Sequence, residues 1–165
     1  MDQSSTFEEQ LAALLPRLRR FAHALSRNPA DADDLTQATI ERALKSRGQW
    51  QPGTRLDSWA YRIMRNLWID TARSRSRIRA HEAPEEEGLA VGEDPRQSID
   101  AAIDLRRVMA AMARLPDEQR EVVALILIEG FGYKEVSEML GLPIGTVSSR
   151  LVRGRTALVA MVAEQ

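Results

Sequence analysis

Apolar residues recur along the first third of this chain at spacings of three and four. Leu11, Leu14, Leu15, Leu18, Phe21 and Leu25 form one stripe, the pattern of an amphipathic helix. Pro16 interrupts it, so the helix either begins near that residue or kinks there. Asn28-Pro29 reads as an N-cap followed by a first-turn proline, with Asp31 in the first turn. The second helix it opens should reach about Lys45. Residues 46–54 carry Gly48 and Pro52-Gly53 and read as a loop. A third, long helix is expected from Thr54 or Asp57, with Leu56, Trp59, Ala60, Ile63, Leu67 and Ala72 as its apolar stripe.

The periodicity then stops. Residues 81–100 are rich in Glu, Gly and Pro and read as a flexible linker. It resumes near Ile103, with helical segments expected over 103–115 and 116–129. Residues 122–128 are continuously apolar and suit a buried strand by composition. Pro116-Asp117-Glu118 before them and Gly130 after them favour a helix. Residues 133–140 predict a short helix with Val136 and Leu140 on one face, and Gly141 and Pro143 mark a tight turn. In the helix beyond, Val147, Leu151, Gly154 and Leu158 share one side, and Ser148, Ser149, Val152, Arg153 and Arg155 the other. This is the pattern of a helix-turn-helix, whose second helix supplies base contacts in the major groove. An ordinary helical hairpin with a solvated arginine face has the same pattern.

The expected fold is therefore all-α: two small helical domains, residues 1–80 and 105–165, joined by a flexible acidic linker at 81–104, with the helix-turn-helix in the second. Charge sharpens this division. The net charge is −1, yet residues 1–80 carry +5, residues 81–104 carry −7 and residues 105–165 carry +1. Such asymmetry points to a polyanionic partner. The chain has no cysteine, which excludes disulfides, zinc-thiolate sites and thiol nucleophiles. Its first ten residues are polar and acidic, unlike a secretory signal. The run at 122–128 is too short to cross a bilayer. A soluble, cytoplasmic protein is the expectation. Its two histidines, His23 and His81, form no His-carboxylate cluster, and no phosphate-binding Gly-rich loop is visible. Neither a metal, a cofactor nor an enzymatic reaction is expected.

The third helix sets Trp59, Tyr61 and Trp68 among Arg55, Arg62, Arg65, Arg73, Arg75, Arg77 and Arg79. Aromatic faces stack unpaired bases while arginines hold the backbone. Trp59 lies on the apolar stripe and reads as core, whereas Trp68 falls off it and is the better candidate for bases. The arginines at 73–79 alternate and so fan around a helix, as a solvated end also would. On the second helix Asp31, Asp33, Asp34, Gln37, Glu41 and Arg42 surround Leu35 and Ile40. Charges ringing an apolar residue suit protein docking and equally a solvated face.

Taken in order, these segments resemble bacterial sigma factors of the extracytoplasmic-function (ECF) subfamily, over about residues 14–158. DADDLTQATIERAL is similar to the family's core-binding helix. SWAYRIMRNLWIDTARSRSR is similar to its promoter-melting helix. LPDEQREVVALILIEGFGYKEVSEMLGLPIGTVSSRLVRGRTAL is similar to its carboxy-terminal promoter-binding domain. The resemblance implies a dissociable specificity subunit of RNA polymerase that directs promoter-specific initiation. It places Asp34, Leu35, Gln37 and Thr39 on the helix that docks on the clamp helices of the largest core subunit. The flap of the second-largest subunit is an implied second contact. It places Asn66 and Asp70, with the loop at 49–54, near the capture of an unpaired minus-10 base, and Arg65 and Arg73 near phosphates. It sets Ser148, Ser149, Val152 and Arg153 against the minus-35 element, with Arg150 and Arg155 on phosphate or bracing the helix.

Three positions depart from the family's usual pattern. Ser148 replaces a common Lys or Arg and offers guanine no fork. Ala38 stands for an acidic residue and Ile40 for an aromatic one, which weakens individual polymerase contacts. LLPRLRRFA, QPGT and GFGY resemble the subgroup that runs the general stress response in alphaproteobacteria. Family members are commonly held inactive by an anti-sigma factor, in that subgroup a small helical protein. The competing reading is a stand-alone helix-turn-helix regulator that binds duplex DNA without polymerase. It predicts a dimerising element, and no long heptad seam is present.

Overall fold

A computed structural model of the chain describes residues 6–79 and 99–164. Seven α-helices follow in order: α1 (Phe7–Ser26), α2 (Pro29–Lys45), α3 (Leu56–Arg79), α4 (Ile99–Arg114), α5 (Asp117–Val123), α6 (Tyr133–Leu140) and α7 (Ile144–Ala163). A 3-10 turn lies at Arg47–Gln49 and a π-turn at Ala124–Ile128. There is no strand among the described residues.

Helix α1 starts well before Pro16 and runs through it. A capping box between Thr6 and Glu9 closes its first turn, satisfying two otherwise free donors. Pro16 lacks the N–H that would bond Ala12, but both residues are exposed, so the freed carbonyl meets water. Helix α2 begins where the sequence predicts: the Asn28 side chain accepts from the Asp31 N–H at 2.8 Å, and Pro29 takes the first turn. Helix α3 buries a broader face than one stripe. Leu56, Ala60, Tyr61 and Met64 are its core residues, while Trp59, Ile63 and Leu67 are half-buried on one flank. It contacts α2 on one side and α1 on another, which requires two adjacent columns of apolar positions.

The expected linker at 81–104 is too long at its carboxy-terminal end, because α4 already begins at Ile99. Ile99 and Ile103 are four apart, as are Val108 and Met112 further along the same helix. Ala101 and Ala102 between the first pair are strong helix formers. Residues 81–98 lie outside the described residues. The 122–128 run is helical, but its second half widens into the π-turn, closed by the Glu129 N–H on Ala124 O at 2.9 Å. Gly130 follows at φ +77°, and the Phe131 N–H caps Leu125 O at 3.0 Å. This left-handed ending is open to glycine at no steric cost.

The sequence leaves the placement of the two lobes open; in the structure they share one core. Phe21 meets Tyr61 edge-on at 4.8 Å between ring centroids, and Tyr61 meets Phe131 at 5.3 Å. The second pair crosses from the first lobe to the second. Such pairs add about 0.5–1.5 kcal/mol beyond the area they bury. Beside them the Glu129 side chain is 0% exposed, and its carboxylate accepts from Arg20 Nε at 2.8 Å and Nη2 at 2.9 Å. It also accepts from the Tyr61 hydroxyl at 2.6 Å. Burial, then this hydrogen bond, push the Tyr61 pKa far up, so its proton stays in place. Arg120, 1% exposed, donates to Leu115 O at 2.7 Å and across the lobes to Leu25 O at 3.1 Å.

Candidate nucleic-acid interface

Helix α7 is seated by Val147, Leu151 and Gly154, all buried. Gly154 is where the backbone comes closest: a Cβ there would stand 2.7 Å from Val123 Cγ2. That contact sets α7 against α5 and turns the remaining faces outward. Ser149, Val152, Arg153 and Arg155 are exposed, and Ser148 and Arg150 half-buried. The six do not share one face. Ser149, Arg150 and Arg153 line a cleft of 470 Å³ with Glu118 and Gln119 of α5. Ser148, Val152 and Arg155, spaced four and three apart, lie on the opposite flank. The turn between α6 and α7 is held by Gly141 at φ +65° and by the Ser137 hydroxyl donating to Leu142 O.

Helix α3 also divides its candidates. Asn66 and Asp70, one turn apart, line a cavity of 160 Å³ with Arg42, Ser46, Gln49 and Trp59. That is room for one aromatic ring, since an engineered cavity of about 150 Å³ holds benzene. Trp59, read from the sequence as core, is half-buried and forms a wall of this cavity, braced edge-on against Phe7 at 6.0 Å. Arg42 comes from the end of α2 and Ser46 is its C-cap; the sequence groups Arg42 with the other α2 charges and marks neither residue for this cavity. Arg65 and Arg73 face the other way, into a 380 Å³ cleft with Trp68, α5 residues and Arg150 of α7. There Arg65 Nε donates to Glu121 at 2.9 Å, so its guanidinium is occupied. Tyr61, grouped by sequence with the base-stacking aromatics, is buried in the core. Arg75 is likewise structural, both terminal nitrogens engaging Asp31.

On α2 the four expected positions divide into two buried and two exposed. Leu35 is 5% exposed and Thr39 0%, and the Thr39 hydroxyl donates to Leu35 O at 2.7 Å. Both face the lobe's own core and seat the helix. Asp34 and Gln37 are exposed. Gln37 lines a 720 Å³ groove with Asp33, Ile40 and Glu41, and α1 contributes Leu15, Arg19 and His23 to it. The α1 residues are legible in sequence only as a polar i, i+4 pair beside an apolar stripe. Among the described residues no group of three His, Cys, Asp or Glu is placed to hold a metal. No helix among them is long and apolar enough to cross a membrane.

The sequence model of the Sigma-70 region 2 family matches residues 11–78, and that of Sigma-70, region 4 matches residues 105–158. The ECF RNA polymerase sigma factor EcfG of Rhodopseudomonas palustris (strain TIE-1) is 34% identical over 98% of this chain and 88% of its own length. The chain belongs to the ECF family of RNA polymerase sigma factors. The ECF sigma factor SigE of Mycolicibacterium smegmatis is 39% identical over 158 residues, and the chain spans 60% of that relative's length. The sigma factor RpoE of Bartonella quintana, solved in complex with the anti-sigma factor NepR, has the same fold. It superposes with a TM-score of 0.86 at 31% identity, over 95% of this chain and 96% of that one. For the ECF sigma factor in hand, region 2 is thus α1–α3, and region 4 is the lobe that ends in the α6–α7 helix-turn-helix.

Proposed function

We propose that this ECF sigma factor binds core RNA polymerase through the exposed edge of α2, captures a minus-10 base on α3, and reads the minus-35 element with α7. The observation that carries this reading is the 160 Å³ cavity, where Asn66 and Asp70 meet Trp59 and Gln49. A flipped base needs a snug pocket with polar edge contacts and an apolar wall, which offset the few kcal/mol lost on unstacking. This cavity offers all three. Asp34 and Gln37, with the groove that Arg19 and His23 share, form the polymerase-facing surface, on the clamp helices of the largest subunit. Arg73 and, once released from Glu121, Arg65 hold phosphates on the other flank of α3 from the captured base. On α7, Ser149 and Arg153 approach base edges from the cleft side, with Arg150 on phosphate; Ser148, Val152 and Arg155 approach from the other.

An anti-sigma partner of the kind bound to the Bartonella quintana protein fits the same reading, holding the factor inactive until a stress signal. The chain acts in the cytoplasm as an initiation factor and not as an enzyme. The test is transcription by purified core polymerase on sheared host DNA, with and without the chain. The expected result is discrete new starts that need both components. No transcripts and no co-elution with core would reject the reading and favour a polymerase-independent regulator.

A further inference from the structure

Two walls of the cavity of Asn66 and Asp70 meet behind it on a single side chain. Trp59 forms the α3 wall, and Gln49 brings in the 3-10 turn at Arg47–Gln49. Behind Trp59 stands Phe7, in the first turn of α1, edge-on at 6.0 Å between ring centroids. Phe7 also meets Trp50, the residue after Gln49, at 5.6 Å. The Trp50 indole N–H is buried and has no acceptor among the described residues. No hydrogen bond therefore orients that ring; packing does, with Phe7 as its aromatic neighbour. Phe7 is itself held. It is 9% exposed, and the Arg47 guanidinium lies over its ring at 5.1 Å. Arg47 opens the turn that carries Gln49 and pairs with Glu8, next to Phe7. The capping box of Thr6 and Glu9 fixes the backbone of the same helical turn. Neither Phe7 nor Arg47 lines the cavity, so both act on it only through the residues that do.

We propose that Phe7, closed over by Arg47, is a positioning residue for base capture: it fixes the Trp59 wall against the Gln49 turn, and so sets how well the cavity tells one base from another. This rests on the reading of that cavity as the site of the captured base. A residue that served the core alone would supply volume, and another apolar side chain of similar size could replace it. Phe7 instead meets two indoles and a guanidinium, and these contacts depend on a flat ring. A leucine fills much of the same space and offers none of them. With leucine the two walls lose their shared support, while α1 stays packed on α3. Discrimination among bases is then lost first. Hydrogen bonds to a base edge weaken steeply with misalignment, whereas an aromatic wall accepts the face of any base.

The test uses the full chain assembled with core polymerase. The probe is the non-template single strand of the minus-10 element of a promoter mapped by transcription, made with each of the four bases at each position in turn. The position where affinity depends most on the base is the captured one. The parent should favour one base there by on the order of tenfold, and Phe7→Leu should bring that ratio down to about twofold, as expected when aligned contacts to a base edge are lost. A variant that is merely less stable binds all four strands less well and keeps the ratio, and that result overturns the proposal. If circular dichroism shows Phe7→Leu unfolded, Arg47→Ala takes its place, at a side chain 52% exposed. It should lower the ratio in the same direction, and an unchanged ratio overturns the proposal. Asn66→Ala is measured alongside. A parent with no preference at any position, or Asn66→Ala with the parent's ratio, ends the base-capture reading and the proposal with it. If Asn66→Ala loses the ratio while Phe7→Leu keeps it, base capture stands and the positioning role alone is overturned.

Discussion

A methyl group at Gly154 would come within 2.7 Å of Val123 Cγ2 and 3.3 Å of Gln119 Cβ. Alanine would gain about 1 kcal/mol of helix propensity there, but overpacking of a tight core costs about 1–3 kcal/mol. Gly154→Ala should therefore lower stability in urea unfolding, and adding Val123→Ala should recover part of the loss. Asp57 is set by opposed effects. Burial pushes its pKa up, yet hydrogen bonds from Arg55 and the Ser58 N–H, with the nearby charge of Arg17, outweigh burial and hold the carboxyl below its ordinary value. A depressed native pKa contributes stability above the unfolded value of about 3.9, lost as pH falls through the native value. At pH 7 Asp57→Asn should cost about 1.5–3 kcal/mol, the worth of hydrogen bonds to a charged group. Chemical unfolding at stepped pH should show the gap closing in acid. Asn66→Ala should leave binding to core polymerase intact and reduce permanganate reactivity of the promoter bubble; a normal bubble would remove Asn66 from base capture. The motif on α2 names four residues but cannot say which way each points. Leu35 and Thr39 belong to the motif because they seat the helix, a distinction that exists only once α1 and α3 are in place.

At the scale of elements, legibility follows locality. The start of α2 is readable because Asn28 and Pro29 carry their own cap chemistry, and the helix-turn-helix because Gly141 and the 147-151-154 spacing are close in sequence. The start of α4 is hidden because an acidic, Pro- and Gly-rich stretch masks the apolar period from Ile99. Asp104, placed by sequence in the linker, is inside α4. Asp104→Pro should lower stability by about 3 kcal/mol, the penalty of proline in a helix interior. A true linker position would tolerate the change within about 0.5 kcal/mol, so a thermal or urea melt decides between them. Helix α3 shows the opposite error. Its single predicted stripe is too narrow, because the helix serves two packing partners, and that reads Trp59 as core where the structure leaves it half-buried.

At the scale of the whole molecule, closure and promoter binding are in conflict. Elements about 25 base pairs apart lie about 85 Å apart at 3.4 Å per step. In the structure Arg73 of α3 and Arg150 of α7 line the same cleft, so the proposed reading of both elements requires the lobes to separate. Lobes joined at positions 27 and 117 by a short cleavable crosslinker, on introduced cysteines, should bind core polymerase yet give no transcripts, and cleavage should restore them. Transcription by the linked chain would show that separation is not required. None of this closure can be read from the chain beforehand, since an arginine that meets a distant carboxylate looks the same in sequence as one that meets solvent or phosphate. The wide turn at residues 124–128 has a consequence of its own. It holds one residue more than a regular helix needs, and removing the exposed Leu127 would let the helix close normally. Residue 129 would then keep nearly the same place around the axis, because the wide turn absorbs its extra residue within itself. Single wide turns of this kind inside a helix mark functional segments, and this one leads straight into Glu129, whose carboxylate meets Arg20 across the lobes.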